Sequence, residues 1–115
     1  MRNMTRRMGF CAAGALALTL GTSAMAADVE ERTLTIKDHV FSPAEVRVKA
    51  HTKTKLIVTN QDAAAEEFES PSLNREKMIR PGQSATILLP PLKPGRYEFF
   101  GEFHPETARG AVIAE

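Results

Sequence analysis

Hydrophobic and polar residues alternate along much of the chain after residue 32, and apolar residues do not recur at the spacing of a helix. Alternation over four to eight residues is typical of a β-strand with one buried face. The segments that show this pattern or a short run of β-branched and aromatic residues are 32–38, 45–49, 55–59, 85–89, 97–100 and 111–113. The chain is therefore predicted to be all-β.

Turn residues separate these segments. They are Pro43, Pro81-Gly82, Pro90-Pro91 and Pro94-Gly95. Short strands with turn signals between them are typical of an antiparallel β-sandwich. Residues 71–80, PSLNREKMIR, do not match a strand pattern, and we predict a loop with one helical turn there.

The first 26 residues form a segment of a different kind. They begin with a basic stretch that holds three arginines, continue with an apolar run, and end with Ala24 and Ala26 at the spacing of a cleavage site. This order is typical of a secretory signal peptide. The apolar run is shorter than the ~20 residues that a membrane-spanning helix needs. We therefore expect cleavage after Ala26, export to the periplasm by the Sec or the twin-arginine route, and one domain over residues 27–115.

Removal of this segment changes the charge and the cysteine content. Three of the 15 basic residues lie in it, so that 12 remain against 14 acidic residues and the net charge becomes about −2. Such a domain is not expected to bind nucleic acid or to insert into a membrane. The single cysteine, Cys11, is removed as well. The exported domain is therefore expected to have neither a disulfide nor a thiolate metal ligand.

Three carboxylates stand close together in the segment AEEFES, residues 65–70. In a strand, Glu66 and Phe68 share one face, and Glu67 and Glu69 share the other. Phe68 is expected to point into the core, which places Glu66 at the rim of the core. A carboxylate there costs several kcal/mol unless it is paired or bound to a cation. Glu67 and Glu69 are most simply interpreted as solvated charges.

A histidine follows the aromatic strand near the C-terminus. In YEFFGEFHPETARG, residues 97–110, His104 stands between Glu102 and Glu106. Pro105 disfavours continued strand pairing, so we expect a loop that holds His104 at one end of the sandwich. A single histidine is more often structural than a metal ligand.

These motifs together resemble the cupredoxin superfamily, the small blue-copper sandwich proteins, from about residue 32 to the end of the chain. The shared elements are the D-x-x-F-x-P opening (Asp38, Phe41, Pro43), the N-x-D turn (Asn60, Asp62), the Pro81-Gly82 turn and the P-G-x-Y-x-F strand (Pro94, Gly95, Tyr97, Phe99). The resemblance implies a Greek-key β-sandwich of about seven to eight strands.

The chain differs from the blue-copper proteins at the positions that supply the ligands of a blue copper site. Blue-copper members carry Y-x-F-x-C-x-x-H-x-x-x-M-x-G, and His104 is in step with their histidine. Gly101 stands at the cysteine position and Ala108 at the methionine position, while Glu66 matches the upstream histidine ligand. Since a blue site needs a copper–thiolate bond, the chain is not expected to be a blue-copper electron carrier.

The resemblance nevertheless implies a metal site at the same end of the sandwich, because it places the Asp38-His39 segment beside the histidine loop. The candidate ligands are His39, His104, Glu66 and one of Glu67, Glu102 and Glu106. Two imidazoles with carboxylates suit Cu(II), Zn(II) or Fe(II). We expect one ion of copper or iron per chain.

A narrower resemblance suggests a biological setting. EEFES, SLNREK, PLKPGRYEFFGEFH and TARG are similar to the periplasmic cupredoxin-like component of bacterial ferrous-iron uptake systems of the Ftr type. That family implies two partners, a periplasmic metal-binding protein and an inner-membrane iron permease, and a part in the uptake or oxidation of Fe(II).

Alternatives to this function stay open. The chain has no nucleophile–base pair suited to hydrolysis, so an enzymatic role is at most that of a ferrous-iron oxidase or electron relay. A metal-free module that docks on an iron permease through its acidic rim is one alternative. A copper chaperone is another, although the chain lacks the methionine clusters that suit Cu(I).

Overall fold

The computed structural model describes Gly14 and residues 29–115, so the predicted signal peptide and its cleavage site lie outside the described residues apart from Gly14. The described part contains nine strands and no helix, and thus no helix that could cross a membrane. The strands are β1 (Glu30–Lys37), β2 (Val40–Ser42), β3 (Glu45–Val48), β4 (Thr54–Asn60), β5 (Glu66–Ser70), β6 (Arg75–Ile79), β7 (Ser84–Leu89), β8 (Gly95–Gly101) and β9 (Arg109–Ala114).

The strands form two sheets that pack as a sandwich. One sheet has the order β2-β1-β4-β7 and the other β3-β9-β8-β5-β6. The prediction of an all-β sandwich is confirmed. The sheets are mixed rather than antiparallel throughout, because β1 pairs with β4 and β3 pairs with β9 in parallel. The described residues form nine strands because β2 and β6, which the sequence pattern did not predict, add to the segments that it did predict.

Three phenylalanines form the centre of the core below one end of the sandwich. This loop-bearing end carries the turn at Asp38-His39 and the loop between β8 and β9. Phe41, Phe68 and Phe99 come from β2, β5 and β8 and are at most 2% exposed. The rings of Phe68 and Phe99 stack at 4.9 Å, and Phe41 meets Phe99 edge-on at 5.2 Å. Burial of each such side chain contributes roughly 1.5–3 kcal/mol. The cluster joins both sheets and confirms that Phe68 points inward.

Residues 71–80 do not form the predicted loop with a helical turn. Residues 71–74 make a turn, and β6 then pairs with β5 in the register Glu66↔Ile79 through Ser70↔Arg75. β6 lies at the edge of its sheet, and only Ile79 of its five residues is buried. The prediction was wrong because an edge strand with mostly exposed side chains lacks apolar alternation.

Candidate metal centre

A tight turn presents His39 at the end of the sandwich. Asp38 and His39 link β1 to β2 and have φ values of 52° and 60°, as in the two-residue hairpin turns that need positive φ at both positions. The Asp62 carboxylate accepts hydrogen bonds from the backbone amides of Asp38 (2.6 Å) and His39 (3.0 Å). The hydrogen bond from the His39 amide is the main reason why the pKa of Asp62 is lowered. Asp62 thus holds the turn that carries His39.

Glu66 is a buried carboxylate at the start of β5. Only 2% of the residue is exposed, in agreement with its predicted position on the face of Phe68. Its Oε1 accepts hydrogen bonds from the backbone amides of Phe103 (2.9 Å) and Glu67 (3.2 Å). Its Oε2 lies 2.5 Å from Nδ1 of His104. Both oxygens have partners, so the cost of burying this charge is offset.

The loop after β8 places His104 beside Glu66 and His39. The backbone amide of His104 donates to the carbonyl of Gly101 (3.1 Å), and the carbonyl of His104 accepts from the amide of Ala108 (2.8 Å). The His104 ring stacks on the His39 ring with the centroids 3.5 Å apart and the planes 13° from parallel. Two residues distant in the sequence therefore share one surface at the loop-bearing end.

One ligand atom from each of His39, Glu66 and His104 lies within 4.8 Å of the other two. This set of two imidazole nitrogens and one carboxylate oxygen suits a divalent ion such as Cu(II), Zn(II) or Fe(II). The side chain of His39 is 42% exposed and that of His104 is 30% exposed, whereas Glu66 is buried. An ion could therefore reach the imidazoles from solvent and meet the carboxylate behind them.

The structure places the other candidate ligands elsewhere. Glu67 and Glu102 belong to a second group of carboxylates, together with Glu69 and Glu76, whose oxygens lie within 4.8 Å of one another. Strand alternation puts Glu67 on the face opposite to Glu66, and the backbone amide of Glu102 donates to the carbonyl of Glu67 at 2.9 Å. Glu106 is exposed in the histidine loop and belongs to neither group.

The carboxylates of the second group repel one another. Sharing a proton with the Glu76 carboxylate raises the pKa of Glu67 to about 7, and burial and the nearby Glu102 act in the same direction. Burial raises the pKa of Glu69, and the charges of Glu76 and Glu102 add to it. Glu67 and Glu69 are only half exposed, and one oxygen of each has no hydrogen-bond partner. They are therefore not the simple solvated charges expected from the sequence.

Two contributors were not assigned a role from the sequence. In the sequence, Asp62 stands out only as part of the N-x-D turn motif. Its spacing of two residues from Asn60 is nevertheless a signal for a fixed turn, since the Asn60 side chain accepts a hydrogen bond from the Asp62 amide at 2.9 Å. Glu76 was placed in a loop, and its approach to Glu67 and Glu69 depends on the pairing of β5 with β6.

Comparison with known proteins supports the fold. The family model described as Cupredoxin-like domain matches residues 10–114. An uncharacterized protein of Rickettsia prowazekii (strain Madrid E) is 51% identical over 86 residues, which cover 75% of this chain and 69% of the relative.

Solved structures with the same fold include proteins that bind copper. The metal-binding domain of the Cu(I)-exporting P-type ATPase CopA of Streptococcus pneumoniae D39, determined with Cu(I), is 14% identical with a TM-score of 0.64, and the match covers 77% of this chain and 92% of that domain. Amicyanin from Paracoccus versutus is 21% identical with a TM-score of 0.58 over 80% of this chain and 86% of its own. At these identities the likeness shows the fold alone.

Proposed function

The chain belongs to the family of cupredoxin-like domains, and from this membership we propose that it binds one copper or iron ion at His39, Glu66 and His104 and takes part in the periplasmic uptake or oxidation of ferrous iron. The observation that carries the proposal is the convergence of these three side chains, one of them a buried carboxylate, at the loop-bearing end. Two imidazole nitrogens beside one carboxylate oxygen form a donor set that suits Cu(II) or Fe(II).

Copper is supported by the relatives of known structure. One was determined with Cu(I), and another is described as a copper binding protein in its apo form. A bound copper ion would supply one-electron redox chemistry. The residues of this chain would orient the imidazoles: Glu66 holds the His104 ring through Nδ1, and Asp62 holds the turn under His39. Carboxylates that orient ligating histidines are a common feature of metal sites.

The iron-uptake setting is supported by the similarity of EEFES, SLNREK, PLKPGRYEFFGEFH and TARG to the Ftr-type cupredoxin-like component. We propose that the protein acts in the periplasm with a metal-binding protein and an inner-membrane iron permease. In an oxidase role, His39, Glu66 and His104 would hold the resident ion, and carboxylate oxygens would suit the Fe(III) product, a hard cation.

Radioactive Fe(II) uptake by a deletion strain tests this function. We expect uptake to fall in the deletion strain, to return with the wild-type gene, and to stay low with a gene that carries Glu66→Gln and His104→Ala. The variant protein must be present in the periplasm at the wild-type level, as checked by immunoblot. Normal Fe(II) uptake in the deletion strain would contradict a role in iron uptake.

The second group of carboxylates favours one other function, that of a docking module without a metal of its own. Its four carboxylates lie within 4.8 Å and would attract a basic surface on the permease. In that case Glu69→Gln with Glu76→Gln would abolish uptake, while Glu66→Gln with His104→Ala would leave it intact. The reverse result supports the metal site.

A further inference from the structure

Gly101, at the end of β8, lies directly against the buried carboxylate of the site. A Cβ atom on Gly101 would lie 2.6 Å from Cδ and 2.7 Å from Oε1 of Glu66, and 2.8 Å from Cβ of Ala108. Close-packed interiors do not accommodate carbon atoms at these separations. A side chain at position 101 would therefore have to displace Glu66 or Ala108, and the three residues share one small volume.

The backbone conformation at position 101 does not require a glycine. Among the glycines that the structure describes, only Gly82 has a positive φ, of 69°. Gly101 is in a regular strand, where it pairs with Phe68 of β5, and any L-residue can adopt that conformation. The requirement for glycine comes from the Glu66 side chain, which makes two of the three close contacts, and from Ala108, which makes the third.

The Glu66 carboxylate cannot easily move aside. Its Oε1 is the acceptor for the backbone amides of Phe103 and Glu67, and its Oε2 contacts His104. Displacement would leave those two partly buried amides without their acceptor, which is unfavourable. Ala108, the other neighbour, is fully buried. The pocket is thus closed to a larger residue at position 101 for as long as Glu66 is present.

We infer that Glu66 and Gly101 act as a pair that determines the class of ion bound at the site. This inference rests on the proposed function. The carboxylate fills the volume into which a sulfur ligand from position 101 would project, so an ion meets only nitrogen and oxygen donors. Such donors favour borderline divalent ions, Cu(II) and Fe(II), whereas Cu(I) prefers sulfur. Gly101 is a specificity-determining residue without being a ligand.

The inference is tested with Gly101→Cys, Glu66→Ala and the double variant, each purified from the periplasm and titrated with Cu(II). We expect Gly101→Cys alone to lower the melting temperature by about 10 °C and to lack an intense visible band. The double variant should show that band, because its thiolate can join two imidazoles, and should bind Cu(I) at least tenfold more tightly than the wild type.

Gly95→Cys is the matched control on the same strand. Its Cβ would lie 3.7 Å from the nearest atom, Cε2 of Tyr97, so the melting temperature should not change and no band should appear. An intense band in Gly101→Cys at an unchanged melting temperature would overturn the inference. So would a double variant that folds, binds Cu(II) and shows neither the band nor a gain in Cu(I) affinity.

A second comparison applies if Gly101→Cys does not fold. Gly101→Ala should lower the melting temperature of the metal-free protein, and Glu66→Ala should reduce that loss by about half or more, since two of the three close contacts are then gone. Equal losses in both backgrounds would overturn the inference. This measurement needs no metal. A wild-type protein that binds no divalent ion would contradict the proposed function, while the packing of Glu66 against position 101 would still be tested by these melting temperatures.

Discussion

Glu66→Gln is expected to separate metal binding from folding at a single buried side chain. Glutamine has nearly the same shape as glutamate, and its Oε1 can still accept from the amides of Phe103 and Glu67, now at 2.9 and 3.2 Å. Its amide nitrogen would replace Oε2 beside Nδ1 of His104, 2.5 Å away. The variant therefore keeps the packing and most hydrogen bonds and loses only the negative charge.

Two opposing effects set the stability of the metal-free variant. A hydrogen bond to a charged group is worth about 1.5–3 kcal/mol and a neutral one about 1 kcal/mol, so the three contacts with His104 and with the amides of Phe103 and Glu67 are weakened by about 3 kcal/mol in all. Removal of a buried charge relieves a desolvation cost of similar size. We expect the melting temperature to stay within about 5 °C of the wild type or to rise.

The metal affinity should fall clearly even though the stability of the metal-free protein is kept. Glu66 supplies the only negative charge of the donor set, and we expect its loss to weaken Cu(II) or Fe(II) binding at least tenfold, or about 1.4 kcal/mol. Competition with a chromophoric chelator measures the affinity, and calorimetry of the metal-free protein measures the melting temperature. Glu67→Gln is the control, since Glu67 faces away from the two histidines. Unchanged affinity in Glu66→Gln, or a loss confined to Glu67→Gln, would refute the reasoning.

Three further predictions follow from the same structure. His104→Ala should weaken Cu(II) binding at least tenfold, about 1.4 kcal/mol, and equal affinities by titration calorimetry would remove His104 from the site. Protein without the predicted signal peptide, loaded with Cu(II), should lack the intense thiolate band, and the appearance of this band would contradict the alignment of Gly101 with the blue-copper cysteine. The pKa of Glu67 is raised to about 7 in the folded protein from an ordinary 4.5. Between these two pH values the folded state therefore binds more protons than the unfolded state. The contribution of Glu67 to stability is greatest below pH 4.5 and is lost as the pH rises through 7. The melting temperature of the metal-free protein should thus fall between pH 5 and pH 8, and by less in Glu67→Gln; identical pH profiles would contradict the raised pKa.

Much of the fold could be predicted because burial on one face leaves a period of two in the sequence. That period places Glu66 and Phe68 on the inner face of β5, and both are buried in the structure. The sequence of β6 shows no period of two, since its side chains mostly face solvent. The parallel pairings of β1 with β4 and of β3 with β9 were also missed, because parallel and antiparallel strands with one buried face show the same alternation.

The candidate site was predictable in part for a similar reason. The rim position of Glu66 follows from alternation, and the nearness of His39 and His104 follows from the resemblance to cupredoxins. The stacking of the two rings at 3.5 Å depends on loop geometry that no spacing encodes. The separation of Glu67 and Glu102 from the histidines depends on which strands flank β5, and that order is set by the whole sandwich.

Electron paramagnetic resonance of the protein without the predicted signal peptide, loaded with one equivalent of Cu(II), reports which atoms bind the ion and so tests the proposed metal centre. The account predicts one ion per chain with hyperfine coupling to imidazole nitrogens from both His39 and His104, reduced to one nitrogen ligand in His39→Ala or in His104→Ala. A Cu(II) signal without nitrogen coupling, or a spectrum that either substitution leaves unchanged from the wild type, would contradict this metal centre.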